Sequence, residues 1–217
     1  MRNANYKITK YAGLSLALMF FLALILAGCA EKGPILLDVG YQTPGAKTEK
    51  KAKLVVGVSP FKDQRGKKPS LLGKRTIPSG EENDLVVQGT VAGIATAGLK
   101  RALESRGISV KDAGPWNLSR EGMSAKGAAI LLGGEIETLW LESTAVGLKT
   151  HLKASVQMKV TAGDVAEKKI IRTIDVSSNI EQDILYSREK LEEMLSEALT
   201  TALDQLFKDE ELGKRLQ

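Results

Sequence analysis

The stretch Leu26-Ala27-Gly28-Cys29 constrains the fold of this chain most, because it sets where the folded part can begin. It ends a segment that has a basic start, an apolar run over 12–27 and no acidic residue. These are the regions of a secretory signal that is cut just before a cysteine. We therefore predict a lipobox: residues 1–28 are a signal peptide, Leu26, Ala27 and Gly28 are recognised by the signal peptidase, and Cys29 is lipidated.

Two other interpretations of this segment are weaker. A transmembrane anchor needs about 20 apolar residues, whereas this run is shorter and ends on small residues without a basic flank. A buried structural thiol explains poorly why the chain's only cysteine directly follows an apolar run. Acyl chains such as palmitate on Cys29 contribute about 0.8 kcal/mol per buried methylene, so several chains make a permanent anchor.

The residue after the lipidated cysteine indicates which membrane receives the protein. It is Ala30, and not the aspartate that retains many lipoproteins at the inner membrane. We therefore expect the chain to be anchored by lipid in the outer membrane, on its periplasmic side.

The charge balance argues against a nucleic-acid partner. The whole chain carries a net charge of +5, from 31 basic and 26 acidic residues. Three basic residues and no acidic one lie in the signal segment, so 28 basic against 26 acidic residues leave the mature chain at +2. A nearly neutral, exported chain with few aromatic residues to stack on bases is unsuited to nucleic acid.

The mature chain is long enough for one domain with its own core, since 217 minus 28 leaves 189 residues. Without a second cysteine it forms no internal disulfide, so packing must stabilise the fold. Residues 29–52 are rich in Gly, Pro, Thr and Lys, which predicts a flexible tether in which Ile35-Leu36-Leu37 could pair as an edge strand. A single periplasmic α+β domain is predicted over 53–217.

Hydrophobic periodicity predicts five strands and two long helices in this domain. The predicted elements are strand 53–58, loop 62–83, helix 84–106, strand 108–110, strands 129–143, 152–160 and 169–180, and helix 187–206. Alternation of apolar and polar residues in the last strands places one face of the sheet in solvent. The predicted fold class is an α+β two-layer sandwich, with a mostly antiparallel sheet packed against the two helices.

Residues that could support catalysis are few. His151 is the only histidine and lies on the polar side of an alternating strand, which favours a solvent-facing residue over a metal ligand or base. Glu135 and Glu137, two apart on one strand, could act as acid and base or hold a cation, but a solvated face is the better interpretation. Trp116 and Trp140 are interpreted as packing residues. We predict no enzyme, no cofactor and no metal.

Several segments together resemble the YajG-type bacterial lipoproteins. These are the lipobox, the strand ending at Val58 that leads to Phe61-Lys62-Asp63-Gln64-Arg65, the helix end at 99–107 and the leucine-rich C-terminal helix. The resemblance covers most of the mature chain. It implies an outer-membrane lipoprotein without known enzymatic activity, with Cys29 as the lipidated residue.

Two functions are compatible with these features. The first is a non-catalytic adaptor that binds another envelope protein, which the permanent anchor, the tether and the absence of a reactive constellation favour. The alternative is a lipid-binding or lipid-transport accessory protein whose helices and sheet enclose an apolar groove.

Basic residues are concentrated between Lys62 and Arg75, where six of them face a single carboxylate, Asp63, for a local charge of +5. A flexible basic loop near a bilayer gains about 1 kcal/mol per Lys or Arg from anionic headgroups. We predict that this loop contacts an anionic surface, either lipid headgroups or an acidic partner, with Leu71 and Leu72 as a small apolar contact. The six basic residues are Lys62, Arg65, Lys67, Lys68, Lys74 and Arg75.

Overall fold

The computed structural model describes residues 33–43 and 54–216. Nearly all of them belong to one compact unit, Pro34–Gln217. The predicted signal peptide, the lipidated cysteine and part of the predicted tether lie outside the described residues.

Short strands and the first helix come before three long strands, and the other helices follow them. In chain order they are β1 (Ile35–Leu37), β2 (Val55–Val58), β3 (Lys62–Asp63), β4 (Leu71–Thr76), β5 (Glu82–Val87), α1 (Val91–Glu104), β6 (Ser109–Asp112), β7 (Ile130–Val146), β8 (Lys149–Asp164), β9 (Lys169–Ile184), α2 (Arg188–Asp204), a 3-10 turn (Gln205–Lys208) and α3 (Glu210–Leu216).

The long strands β7, β8 and β9 form the centre of the fold. β8 pairs antiparallel with both β7 and β9, over nearly the full length of each strand. Over 151–160 of β8 the apolar residues are buried and the polar ones between them are half-buried or exposed, because successive side chains point to opposite faces. The predicted three-stranded meander is therefore confirmed.

The other edge of β7 is paired by three short strands in succession, and all three run parallel to it. β2, β3 and β4 pair with 130–132, 135–136 and 141–144 of β7. β6 continues the sheet beyond β2, and β5 followed by β1 continues it beyond β4. A long antiparallel meander thus carries a mixed sheet along one side.

The predicted fold class is wrong. In the described part of the chain the sheet has nine strands of mixed direction, and five of its eight strand pairings are parallel. The helices are short, with 14, 17 and 7 residues. The prediction failed because the alternation within a strand reports which face is buried and says nothing about the direction of its neighbour.

The predicted long loop and the predicted start of the first helix also need correction. Residues 62–87 contain β3, β4 and β5, and α1 begins at Val91 instead of Asp84. Gly89 adopts a φ of 89°, which turns the chain out of β5. Thr90 then caps the helix, since its side chain accepts the Gly93 backbone N–H at 3.0 Å.

Part of the predicted tether is docked on the domain. β1 pairs in parallel with β5 at the edge of the sheet, as the edge-strand alternative anticipated. The buried side chains of Val39 and Tyr41 follow it. Every second residue from 38 to 42 donates its backbone N–H to a side chain of α2. The three acceptors lie four apart and therefore share one face of the helix. The donor and acceptor pairs are Asp38 to Glu192, Gly40 to Ser196 and Gln42 to Thr200.

The core lies where α1 and α2 meet the sheet. Ser187 caps α2 by accepting the Lys190 N–H at 3.2 Å, which confirms the predicted start of the C-terminal helix. α2 packs on β7, β8 and β9, and α1 packs on α2 and on β2. Fully buried side chains from both helices fill this space: Leu99, Leu103, Leu191, Leu195, Leu199 and Leu203.

Replacing either of two buried serines with alanine should change the free energy of unfolding in opposite directions. The Ser143 hydroxyl is buried and has no hydrogen-bond partner among the described residues, whereas the Ser59 hydroxyl accepts the Trp116 backbone N–H at 3.0 Å. An unpaired buried hydroxyl costs desolvation energy, so we expect Ser143→Ala to raise the free energy of unfolding by about 1 kcal/mol. Ser59→Ala should lower it by about 1–3 kcal/mol. Urea unfolding of the two variants checks this, and a loss of stability in Ser143→Ala would contradict it.

Candidate functional site

Large apolar side chains are exposed at one end of the meander. Val146 is 61%, Leu148 95%, Leu185 75% and Tyr186 38% exposed. In the described part of the chain, the only other exposed large hydrophobic residue is Leu36. We call Val146, Leu148, Leu185 and Tyr186 the apolar tip.

The strand register brings the two halves of the apolar tip to the same end of the sheet. Val146 lies opposite Lys149 across the turn between β7 and β8, where Gly147 adopts a φ of 61°. Thr150 lies opposite Ile184, the last residue of β9, so Leu185 and Tyr186 follow directly beside that turn. The tip is therefore built on the ends of paired strands and not on a free loop.

One basic residue belongs to the apolar tip. The Arg75 guanidinium stacks on the Tyr186 ring, 3.6 Å from its centre. Guanidinium groups are attracted to the electron-rich face of an aromatic ring. Arg75 therefore orients the tyrosine and gives the tip one positive charge.

Two further residues of the predicted basic surface are each paired with carboxylates. Lys62 lies 3.9 Å from Glu135. Lys74 is paired with Asp84 at 2.8 Å and Glu82 at 3.6 Å, which raises the pKa of its amine, mainly through the hydrogen bond to Asp84. Neighbouring carboxylates therefore neutralise much of the local charge.

Lys67 and Lys68 lie on the surface, as the basic-loop prediction requires. The Lys67 amine lies over the Trp140 ring, 5.4 Å from its centre, and Lys68 is exposed. Leu71 and Leu72 are buried, 8% and 0% exposed, so they are not the predicted apolar contact. Leu72 belongs to the main hydrophobic core, and the bulge between Leu71 and Gly73 interrupts the alternation of β4, so neighbouring leucines can both be buried.

The Arg65 side chain is buried and binds only groups of the protein itself among the described residues. It is only 3% exposed and forms an ion pair with Asp63 at 2.8 Å. It also donates to the carbonyl oxygens of Leu71 and Leu139 at 2.7 and 3.1 Å, which connects the loop to β7. The hydrogen bond from Arg65 lowers the pKa of the Asp63 carboxyl. Arg65 is therefore unavailable to an external anion.

The two candidate carboxylates are each paired with a lysine. The register of β7 shifts between Ile136 and Thr138, so Glu137 occupies a bulge. Its carboxylate lies 2.5 Å from the Lys159 amine, and this hydrogen bond raises the pKa of that amine. Glu135 lies near Lys62, as described above, so both side chains belong to a solvated, ion-paired face.

His151 faces solvent beside another charged residue. It lies opposite Asp183 on β9, and its Nδ1 is 2.8 Å from the Asp183 carboxylate. No group of three or more His, Cys, Asp or Glu side chains suited to a metal ion occurs among the described residues. The solvent-facing position predicted for His151 is confirmed.

The two tryptophans differ in burial. Trp116 is 3% exposed and its indole N–H donates to the Ser119 carbonyl at 2.7 Å, so the packing role predicted for it is confirmed. Trp140 is half-buried on β7 beneath Lys67.

The sequence contained a signal for the apolar tip that periodicity alone did not use. Val146-Gly147-Leu148 is a glycine turn flanked by large apolar residues, and Leu185-Tyr186 stands immediately before the helix cap. Turns and caps normally carry polar residues. An apolar residue at such a place indicates either burial or a contact surface, and only the structure shows which.

None of the helices in the described part has the length and hydropathy that spanning a bilayer requires.

Comparisons with known proteins give one family match and several distant similarities of structure. The family model described as "Uncharacterized lipoprotein" matches residues 95–217. No curated protein matches the chain in sequence. The crystal structure of a Xanthomonas campestris protein of family model DUF330 is similar, with a TM-score of 0.52 and 13% sequence identity. The match covers 84% of this chain and 93% of that chain.

A lipoprotein from Neisseria meningitidis is also similar, at 14% identity, with 72% of this chain and 99% of that chain covered and a TM-score of 0.37. At these identities the Xanthomonas likeness concerns the fold alone, and the Neisseria likeness is too distant to support an inference.

Proposed function

This chain belongs to the uncharacterised lipoprotein family that the YajG-type resemblance predicted, and from this premise we propose that it is a lipid-anchored, non-catalytic adaptor of the cell envelope. Membership of a lipoprotein family supports an envelope location. The finer placement, on the periplasmic side of the outer membrane, rests on Ala30 following the lipidated Cys29.

The observation that carries this proposal is the apolar tip. Leu148 projects almost completely into solvent at 95% exposure, in the turn between β7 and β8, where a polar residue is the norm. Burying a leucine side chain completely is worth about 1.5–3 kcal/mol, so a partner that covers Leu148 and Leu185 gains affinity from them. Clustered apolar side chains of this kind mark interaction sites on soluble domains.

The paired charges support the non-catalytic part of the proposal. A general base needs a pKa tuned by its surroundings and a geometry that reaches substrate. Glu137 and Lys159 instead neutralise each other on the open face of the sheet. The predicted apolar groove between helices and sheet is filled by leucines of α1 and α2, which favours the adaptor over the lipid-binding accessory.

Site-specific photocrosslinking in intact envelopes tests the adaptor. A photoreactive residue at Leu148 or Leu185 of the full lipidated chain should give one crosslinked species of discrete mass. The matched control is position 126, an exposed lysine before β7 at the opposite end of the meander. A Cys29→Ala chain, which lacks the anchor, should give less product. Equal crosslinking at 126 and 148 would contradict the proposal, and recovery of lipid alone would favour the lipid-binding accessory.

The double change Leu148→Ser and Leu185→Ser should weaken partner capture at least tenfold. Both side chains are exposed, so the free energy of unfolding should change by less than about 0.5 kcal/mol. Co-purification of the crosslinked partner, with urea unfolding alongside, measures both effects. Lys126→Ser, which changes an exposed residue at the opposite end of the meander, is the control and should leave capture unchanged. Full capture by the double variant would exclude the tip as the contact.

A further inference from the structure

We propose that the outer edge of β9 between Asn179 and Asp183 is a docking site for an extended partner strand that carries Lys or Arg at every second residue. This site is separate from the apolar tip, and each can fail without the other.

The contacts of Gln205 show which backbone groups of β9 point away from β8. The Gln205 side-chain carbonyl accepts the Ser177 N–H at 3.1 Å, and its amide donates to the Ser177 carbonyl at 2.7 Å. A residue of an antiparallel strand directs its N–H and C=O to the same neighbour. Both groups of Ser177 therefore point to the outer edge, where the side-chain amide of Gln205 takes the place of a neighbouring strand.

The same alternation of outward and inward backbone groups continues to the end of β9. The register with β8 is continuous from Thr173 to Ile184, so residues two apart share a direction. Asn179, Glu181 and Asp183 thus point their N–H and C=O groups outward. Within the described residues β9 pairs with β8 alone, and no hydrogen bond reaches these six groups. An open row of backbone donors and acceptors is a template for an added strand.

The side chains along this edge specify the partner. Those of Asn179, Glu181 and Asp183 are exposed on one face. Lys153 and His151 on β8 contact the two carboxylates at 3.2 and 2.8 Å, and because both carboxylates are more than half exposed, each has further lone pairs that can accept from a second cation. Cross-strand neighbours of opposite charge stabilise a sheet and like charges destabilise it.

The charge pattern disfavours a second copy of this chain as the occupant. Antiparallel pairing of two copies centred on Glu181 or on Gln182 would place Glu181 of one molecule opposite Glu181 or Asp183 of the other. On the opposite face, Ile180 and Ile184 are half-buried and Gln182 between them is exposed, so small residues such as threonine or valine fit between the basic residues of the partner. The occupant is therefore a strand in which basic residues alternate with small ones.

A synthetic peptide tests the proposal with the full chain in detergent. The probe is a capped hexapeptide with lysine at every second position and threonine or valine between, and its binding is measured by fluorescence anisotropy. Two further peptides keep every side chain but carry backbone N-methyl groups, one on the lysines and one on the residues between them. Only alternate amides of an added strand face β9. One of these two peptides should therefore lose at least tenfold in affinity while the other binds like the probe. Loss in both, or in neither, would overturn the proposal.

Hydrogen exchange supplies a second readout that does not depend on any variant folding. With the peptide bound, the amides of Asn179, Glu181 and Asp183 should exchange at least tenfold more slowly. Those of Ser178 and Ile180, which already donate to β8, should not change. Slow exchange at the three outward amides without peptide would assign the edge to another segment of this chain or, with a doubled molar mass, to a second copy. Either result would overturn the proposal.

Discussion

Gly73→Ala should be among the most destabilising single substitutions in this domain, lowering the free energy of unfolding by about 3 kcal/mol or more. A Cβ on Gly73 would lie 1.9 Å from the carbonyl oxygen of Leu141 and 2.8 Å from its carbonyl carbon. Both atoms belong to the backbone of β7, so no side-chain rotation relieves the clash. The close approach exists because Gly73 pairs directly with Leu141 at the start of the parallel β4–β7 ladder.

Gly114→Ala is the matched control for this substitution. A Cβ there has nothing within 4 Å, and its φ lies outside the left-handed region. Replacing a glycine in an ordinary conformation restricts the unfolded chain, so stability should stay the same or rise by about 0.4–1 kcal/mol. Urea unfolding of both variants at pH 7 checks the pair. Equal stability of Gly73→Ala and the unchanged chain would show that β4 does not approach β7 so closely.

Hydrophobic periodicity and capping residues correctly predicted the elements whose structure is decided by residues close together in sequence. Alternation over 152–160 and 169–180 predicted two strands of the meander, and Ser187 before a leucine-rich stripe predicted the start of α2. Each of these signals is contained in one element. Long-range pairing is not, so the parallel approach of β2, β3 and β4 to β7 could not be inferred from any single segment.

The basic loop shows the same limit at the level of side chains. Counting charge over 62–75 gave one basic surface, but charge in sequence does not say which side chains are buried. Arg65 lies inside, Lys74 is paired, and Arg75 stacks on Tyr186, more than 100 residues away in sequence. The apolar tip was missed for a related reason, since its two halves become neighbours only through the β8–β9 register.

Arg65→Ala should lower the free energy of unfolding by about 3–5 kcal/mol at pH 7, because it removes the guanidinium that pairs with a partly buried carboxylate and donates to two carbonyl oxygens. Of the hydrogen bonds to Asp63, only the one from the Arg65 backbone N–H, at 3.1 Å, remains. The Asp63 side chain is only 18% exposed, so water does not fully replace the lost guanidinium. Arg65→Lys should recover part of this loss, since an ammonium keeps the charge but cannot form the same fork of hydrogen bonds. Lys68→Ala, in the same loop, is the control and should change stability by less than about 0.5 kcal/mol.

The pH dependence of the stability lost in Arg65→Ala tests whether the ion pair with Asp63 is the source of that loss. Arg65 holds the pKa of Asp63 below its ordinary value of 3.8. A carboxyl whose folded pKa is depressed stabilises the fold above its unfolded pKa and loses that contribution as the pH falls through the folded pKa. The gap between the unchanged chain and Arg65→Ala should therefore be widest above about pH 5 and narrow as the pH falls below about 4. Urea midpoints at pH 7 and pH 3 measure the two gaps. A gap of the same size at both pH values would mean that Arg65 stabilises the fold through its carbonyl contacts alone.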